Sequence, residues 1–291
     1  MLQKQAIKEK SNVQSLERAL AILDKLSEKP NGCSIKYLSE ATKLNKSTVH
    51  RLLHTLIKCG YARQDAKSDL YYLGMRILEL SSNMIHNTDI VHIAKPFIRN
   101  LCHETGQVIQ LTIRSDNYAV FIDKVENPRQ VVRMYSQIGK SIPVYCSSSG
   151  KALLAWEPDE EILNVINSIE FVQYTDTTIC NKESLLNQLQ DIRKKGYATD
   201  WFEHEEDICC IAAPIFNSNN QTVAAICLAG TMLQINSSVL ANYACKVNET
   251  ARLISRELGC LNYPAVFDQK MAEKDAEAFN NIVKRKYSIK K

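Results

Sequence analysis

The sequence predicts an α+β chain in two parts, a small and mostly helical N-terminal module and a larger domain built around an antiparallel sheet. Three observations carry this. Apolar residues recur at helical spacing from residue 15 to residue 58, with two short polar breaks. Beyond Gly106 the pattern changes to strands, then helices, then strands again, joined mostly by tight turns. Charge is also divided: residues 1–75 carry 13 Lys/Arg against 7 Asp/Glu, and the rest of the chain 23 against 25. A basic first part beside a mildly acidic remainder suggests a nucleic-acid-facing module joined to a part with another task.

Composition sets the outer limits. The 291 residues, 45% hydrophobic and 23% charged, match an ordinary folded chain of one large or two ordinary domains. The longest apolar runs, Ile208 to Phe216 and Val223 to Gly230, are well short of the roughly 18–20 residues of a membrane helix. The charged start MLQKQAIKEKSN lacks a signal-peptide core. No membrane partner is expected, and the ten cysteines, without a CxxC, read as reduced thiols in a cytoplasmic protein with no metal.

The first helix is expected from an N-cap at Ser15 through Leu16, Ala19, Leu20, Leu23 and Leu26, ending at Pro30 and Gly32. A second runs from about Ser34 to Thr42 and, after a break at Lys43–Leu44–Asn45, a third from Lys46 to Lys58, a helix-turn-helix pattern. On the third helix Val49, Leu52, Leu53, Leu56 and Ile57 form one apolar stripe, while Ser47, His50, Arg51, His54 and Lys58 occupy the opposite face. No acid occurs between Ala41 and Gln64, whereas Lys43, Lys46, Arg51, Lys58 and Arg63 are cationic. Such a face suits the major groove of double-stranded DNA, where short donors reach phosphates and Arg bonds a guanine edge bidentately; the plainer alternative is a solvated basic helix. His50 and His54 lack a nearby Glu or Cys, so groove contact fits them better than a metal. Residues 61–64 and 70–73 flank a polar turn and read as a β-hairpin wing with Lys67 at its tip. The candidate DNA contacts are Lys46, Ser47, Thr48, His50, Arg51, His54, Lys58 and Lys67.

Met75 to about Thr88 is amphipathic and suits either pairing with a second copy or packing on its own chain. A helix is expected to start near Pro96 and stop at Gly106. Strands follow at 108–115, 118–126 and 131–139, helices at about 150–156, 159–168 and 182–195, strands at 197–203, 208–216 and 222–229, and a last helix at 237–258. The Lys-rich end, 265–291, reads as a frayed basic tail, with added phosphate contact as the sharper alternative.

The stretch SLERALAILDKLSE, the motif KSTVHRLLHTL followed by GY, and the wing exit YYLGMRILEL resemble the IclR family of bacterial transcriptional regulators, and the likeness extends to about Pro264. VVRMYSQIGKSIPVYCSSSGKALLAW, RKKGYATDWFEHEED and CCIAAPIF look most like the subgroup that represses pectin and ketodeoxygluconate catabolism. The resemblance implies a winged helix-turn-helix (1–74), a linker and dimerisation helix (75–90), a GAF-like effector domain (91–264) and the tail (265–291). It also implies a homodimer or tetramer, operator DNA as partner, and a small organic acid as effector, often a sugar-derived keto acid.

Read from the residues, hydroxyls and free N–H groups at a helix N-terminus bind carboxylates well, which favours Ser147, Ser148, Ser149 and Gly150. The resemblance adds Cys210, Cys227 and Ala229; some relatives have serines at the last two positions, a departure that leaves the effector open. Asp200 and Glu206 are placed on the rim, where carboxylates bond sugar hydroxyls; plain solvated surface acids are the equal alternative. An enzyme is the competing class. Ser148–Lys151 spells SxxK and Ser115-Asp116-Asn117 spells SDN, but in the order opposite to β-lactamase-type enzymes and with no KTG. Tyr145 and Ala152 break a P-loop reading, and Cys210 sits in an apolar run without a paired base. The sequence therefore reads as a cofactor-free, non-enzymatic regulator. A third alternative is a DNA-binding protein whose C-terminal domain only oligomerises.

Overall fold

A computed structural model describes residues 13–86, 89–126 and 136–288. The chain divides into two compact units, Met1–Asn87 and Thr88–Lys291.

In the first unit, α1 (Gln14–Ser27), α2 (Ile35–Thr42) and α3 (Lys46–Lys58) are followed by a hairpin of β1 (Ala62–Gln64) and β2 (Tyr71–Leu73), and by α4 (Met75–His86). The helix-turn-helix and wing are thus formed as expected. The expected Ser15 cap is corrected: α1 starts at Gln14, after Val13, which gives no side-chain cap. The expected apolar stripe is also rotated. Ile22 and Leu26 are buried with Ala19 and Leu23 against them, while Leu16 and Leu20 are exposed. The turn between α2 and α3 is closed by Lys43 in the left-handed region and by Asn45, whose Oδ1 accepts from the Thr48 N–H at 3.0 Å. Gly74 lets the wing exit pass over the end of α3, since a Cβ there would lie 2.0 Å from the Gly60 carbonyl oxygen.

The second unit is a six-stranded sheet, every pairing antiparallel, in the order β5-β4-β3-β8-β7-β6. Its strands are β3 (Val108–Ser115), β4 (Tyr118–Val125), β5 (Ser141–Pro143), β6 (Ala198–Trp201), β7 (Ile208–Phe216) and β8 (Thr222–Thr231). Alternation of side chains gives each strand two apolar faces, so the sheet is covered on both. One face packs with α5 (Asp89–Thr105), α9 (Ser237–Glu257) and α10 (Gln269–Ser288) through Ile109, Leu111, Ile211, Ile226, Ile98 and Val247. The other packs with α6 (Ser148–Leu154), α7 (Asp159–Ser168) and α8 (Lys182–Lys195) through Val108, Ala212, Cys227, Leu153 and Leu189.

Three differences from the sequence reading have physical causes. Pro96 lies inside α5 rather than at its start. Ile90, Ala94, Ile98, Leu101 and Cys102 form one buried stripe, and that burial outweighs the hydrogen bond the proline removes. The strand expected at 131–139 lies largely outside the described residues; 136–139 are not strand, and the short β5 pairs with β4 instead. The end of the chain is not a frayed tail: 269–288 form α10, with Ala272 and Phe279 buried in the core. All ten cysteines are free thiols. Among the described residues no helix is long and apolar enough to cross a membrane, and no group of His, Cys, Asp or Glu is arranged to hold a metal ion.

Candidate functional site

In the first unit α3 buries Val49, Leu53 and Leu56 and leaves Lys46, Ser47, His50, Arg51, His54 and Lys58 exposed, with Thr48 half-buried. Lys46, Arg51 and Lys58 have no ion pair among the described residues, so their charges stay available. Ser47 donates its hydroxyl to Asn45 Oδ1 at 3.1 Å, and its neighbour Thr48 gives its N–H to the same cap, which fixes the start of the helix. In the wing, Asp65 Oδ1 accepts from the Ser68 N–H and hydroxyl, each at 2.8 Å, and from the Lys67 N–H at 3.1 Å. These bonds, the Ser68 N–H first, hold the Asp65 carboxyl below the usual carboxylate range. The acid in the wing is thereby turned to building the turn that carries exposed Lys67.

In the second unit the strands set Asp200 opposite Cys210 and Cys210 opposite Ala229, a row across β6, β7 and β8 on the α6 face. These three, with Asp200 buried rather than on the rim as expected, line a small, partly open cavity of about 50 Å³ together with Gln110, Ser136, Ile142 and His204. Gln110 Nε2 donates to Ser136 Oγ at 2.6 Å, and His204 Nδ1 is buried without a hydrogen-bond partner. Sequence reasoning missed both residues. Gln110 had a signal, a lone amide inside the apolar strand VIQLTIRS; His204, in a turn, had none.

The serine segment sits beside this cavity. Ser147 caps α6: its hydroxyl accepts from the Gly150 N–H at 3.1 Å and donates to the Pro143 carbonyl at 3.0 Å. Ser148 Oγ lies 3.5 Å from Cys227 Sγ, and both are buried, as is Ser149. Gly150 is sterically required, because a Cβ there would stand 2.3 Å from Val144 Cα. Cys210 and Cys227 are also hydrogen-bonded; that bond, and then burial, push the Cys210 thiol well above its ordinary value. Glu206 is not brought to the cavity. It is exposed, pairs with Lys286 at 2.5 Å, and borders a separate 460 Å³ cleft with Asp176 and Arg285.

Below the serines lies a buried ion pair that the sequence reading did not single out. Lys151, fully buried, donates to both carboxylate oxygens of Glu203 at 2.6 and 2.7 Å and to Gln188 Oε1 at 2.8 Å. All three ammonium donors are committed, so Lys151 is not free to act as a base toward Ser148. Glu203 in turn gives its N–H to Asp200 Oδ1 at 2.8 Å. Burial, and then the Glu203 charge, push the Asp200 carboxyl well above its ordinary value. This favours a neutral acid that can donate a hydrogen bond into the cavity.

A stability prediction follows. As pH rises from the ordinary carboxylate range near about 4, the unfolded chain releases the Asp200 proton while the folded chain retains it, so stability falls through that window. Asp200→Asn keeps an acceptor for the Glu203 N–H and removes the titration. Its melting temperature should gain on wild type as pH rises above about 4. Parallel melting curves across that range would show that Asp200 ionises normally.

Comparison with known proteins gives a consistent result. The model of the IclR helix-turn-helix domain matches residues 15–66, and that of the bacterial transcriptional regulator IclR C-terminal domain matches 82–256, ending before α10. The HTH-type transcriptional regulator XynR of Escherichia coli (strain K12) is 33% identical over 253 residues, 87% of this chain and 99% of XynR. The HTH-type transcriptional regulator KdgR of the same strain is 32% identical over 257 residues, 88% of this chain and 97% of KdgR. The crystal structure of Thermotoga maritima IclR aligns with a TM-score of 0.70 at 29% identity, over 85% of this chain and 100% of that one.

Proposed function

The chain belongs to the IclR family of bacterial transcriptional regulators, and from that premise we propose that it is a cytoplasmic repressor of sugar-acid catabolism genes, of the ketodeoxygluconate and pectin type, released from its operator by a small sugar-derived acid. The observation that carries this reading is the presence of an exposed, acid-free basic helix in one unit and of a small, mainly apolar cavity with a few polar groups in the other. In the DNA-reading module Arg51 reads a base edge. Lys46, Ser47, Thr48, His50 and His54 flank it in the groove, and Lys58 and Lys67 meet phosphates. Exposed Met75 and Leu78 on α4 suit pairing with a second copy. A symmetric dimer would protect half-sites roughly 10–10.5 bp apart, or a multiple of that spacing.

In the effector domain, Asp200, Gln110 and His204 offer hydrogen bonds to hydroxyl or keto oxygens, with Cys210 and Ala229 as wall and Cys227 and the Ser147–Gly150 segment behind them. None of the residues found to line the cavity is Lys or Arg, and Lys151 is spent on Glu203. A carboxylate would therefore be met by neutral donors such as Gln110, with Asp200, its carboxyl held above the ordinary range, and the Glu205 carboxylate on the same wall. At about 50 Å³ the cavity has room for one or two waters. A sugar acid would bind a wider form, and that difference gives it leverage over two states of the regulator.

The test is fluorescence anisotropy with labelled DNA from the chain's own promoter region, titrated with ketodeoxygluconate, galacturonate and pyruvate. A sugar acid should release the DNA. Gln110→Met should need about tenfold more of it, with unchanged operator affinity in its absence. Normal release from Gln110→Met would place the pocket elsewhere.

A further inference from the structure

Between Asp200 and Glu203 the backbone does something bulky residues avoid. Phe202 has φ of 65°, in the left-handed region, although it is an aromatic residue with no exposed surface. Its conformation turns the chain so that the Glu203 N–H reaches Asp200 and the Glu203 carboxylate reaches Lys151. Such strain persists only where the surroundings hold it, and here there are two supports: the Thr175, Thr177 and Thr178 hydroxyls donate to the carbonyls of Trp201, Phe202 and Glu203, and one helix, α10, covers the rings. Phe279 of α10 packs against Trp201 (ring centroids 5.0 Å apart) and lies 6.0 Å from the Phe202 ring. Lys286, two turns further on, sits over that ring at 4.4 Å and binds both the carboxylate and the backbone carbonyl of Glu206. At the other end of β6, Asp275 accepts from Lys195 Nζ and from the Tyr197 hydroxyl, each at 2.7 Å. The helix therefore grips β6 at its start, its end and the turn beyond, and it lies outside the matched family model.

We infer that α10 is a clamp: Phe279 and Lys286 are positioning residues that hold the strained β6–β7 turn and thereby set Asp200 and Glu203 at the cavity wall. Its bearing on the effector rests on the reading proposed above. With this wall fixed, widening of the cavity falls on the opposite side, where Ser136 and Ile142 stand.

Hydrogen exchange of the full chain tests the clamp without any ligand. The Phe202 N–H is bonded to the Ile208 carbonyl and the Glu203 N–H to Asp200, so both amides report the turn. Lys286→Ala should speed exchange at these two positions about tenfold or more and leave β3 and β4 unchanged. Phe279→Leu should do the same, Lys286→Arg should restore slow exchange, and Arg285→Ala, one position away on the exposed side, should have no effect. Unchanged exchange at 202 and 203 in Lys286→Ala and Phe279→Leu would overturn the clamp. In the anisotropy titration, Lys286→Ala should need about tenfold more ketodeoxygluconate for release, with operator affinity unaltered. Faster exchange with normal release would overturn the link to the cavity. If wild type answers to no sugar acid, the proposed effector falls, and the exchange result still decides the clamp.

Discussion

Lys151→Ala should destabilise the second unit by about 3–5 kcal/mol, because it strands the Glu203 carboxylate in the interior without a partner. Lys151 is fully buried, Glu203 is 5% exposed, and the lysine supplies the two short ionic hydrogen bonds that neutralise the carboxylate. The penalty belongs to the orphaned charge rather than to the pair itself. The double variant Lys151→Met with Glu203→Met, which removes both charges and keeps most of the volume, should therefore recover most of the loss. Both tryptophans, Trp156 and Trp201, lie in the second unit, so denaturant unfolding followed by their fluorescence reports that unit alone. A Lys151→Ala midpoint equal to wild type would mean that water reaches the pair and screens it.

Arg51→Ala should weaken operator binding by about 1–3 kcal/mol, roughly 5- to 150-fold, and relax preference at one base position. Arg51 is exposed on the α3 face opposite the core and carries no ion pair among the described residues, so its removal costs the fold little. Lys58→Ala and Lys67→Ala should behave differently, weakening binding to all sequences alike and lowering the salt slope by about one each. Operator titrations at several salt concentrations, on cognate and scrambled DNA, separate the two patterns. An Arg51→Ala protein that keeps both affinity and preference would remove α3 from the groove.

How much of this was legible in the sequence differs between the units, for a physical reason. The polarity of α3 is a local property: one face must pack and the other has no acid, so spacing alone assigns both. The runs Ile208–Phe216 and Thr222–Thr231 were equally plain, since strands covered on both faces read as continuous apolar stretches. The cavity is instead assembled from β3, β5, β6, β7, β8 and the turn after β6, which meet only through strand pairing. Asp200, Cys210 and Ala229 entered the sequence reading singly, and their alignment in one row depends on register. Glu206 was grouped with them by its nearness to Asp200 along the chain, yet the turn at Phe202 sends it to Lys286. Lys151 was legible in principle, a lone cation in the apolar run around ALLAW, but its partner is 52 residues away. The Lys-rich charge of 269–288 hides α10, whose packing is decided by Ala272 and Phe279.

The central claim is that one chain couples a sugar acid to operator DNA, and coupling between two ligands is reciprocal. The direct measurement is therefore the dissociation constant for ketodeoxygluconate with and without saturating operator, set beside that for operator with and without saturating ketodeoxygluconate. Each ligand should weaken the other by the same factor, at least about fivefold. Ketodeoxygluconate that binds with equal affinity to the free and operator-bound protein, leaving operator affinity unchanged, would contradict it.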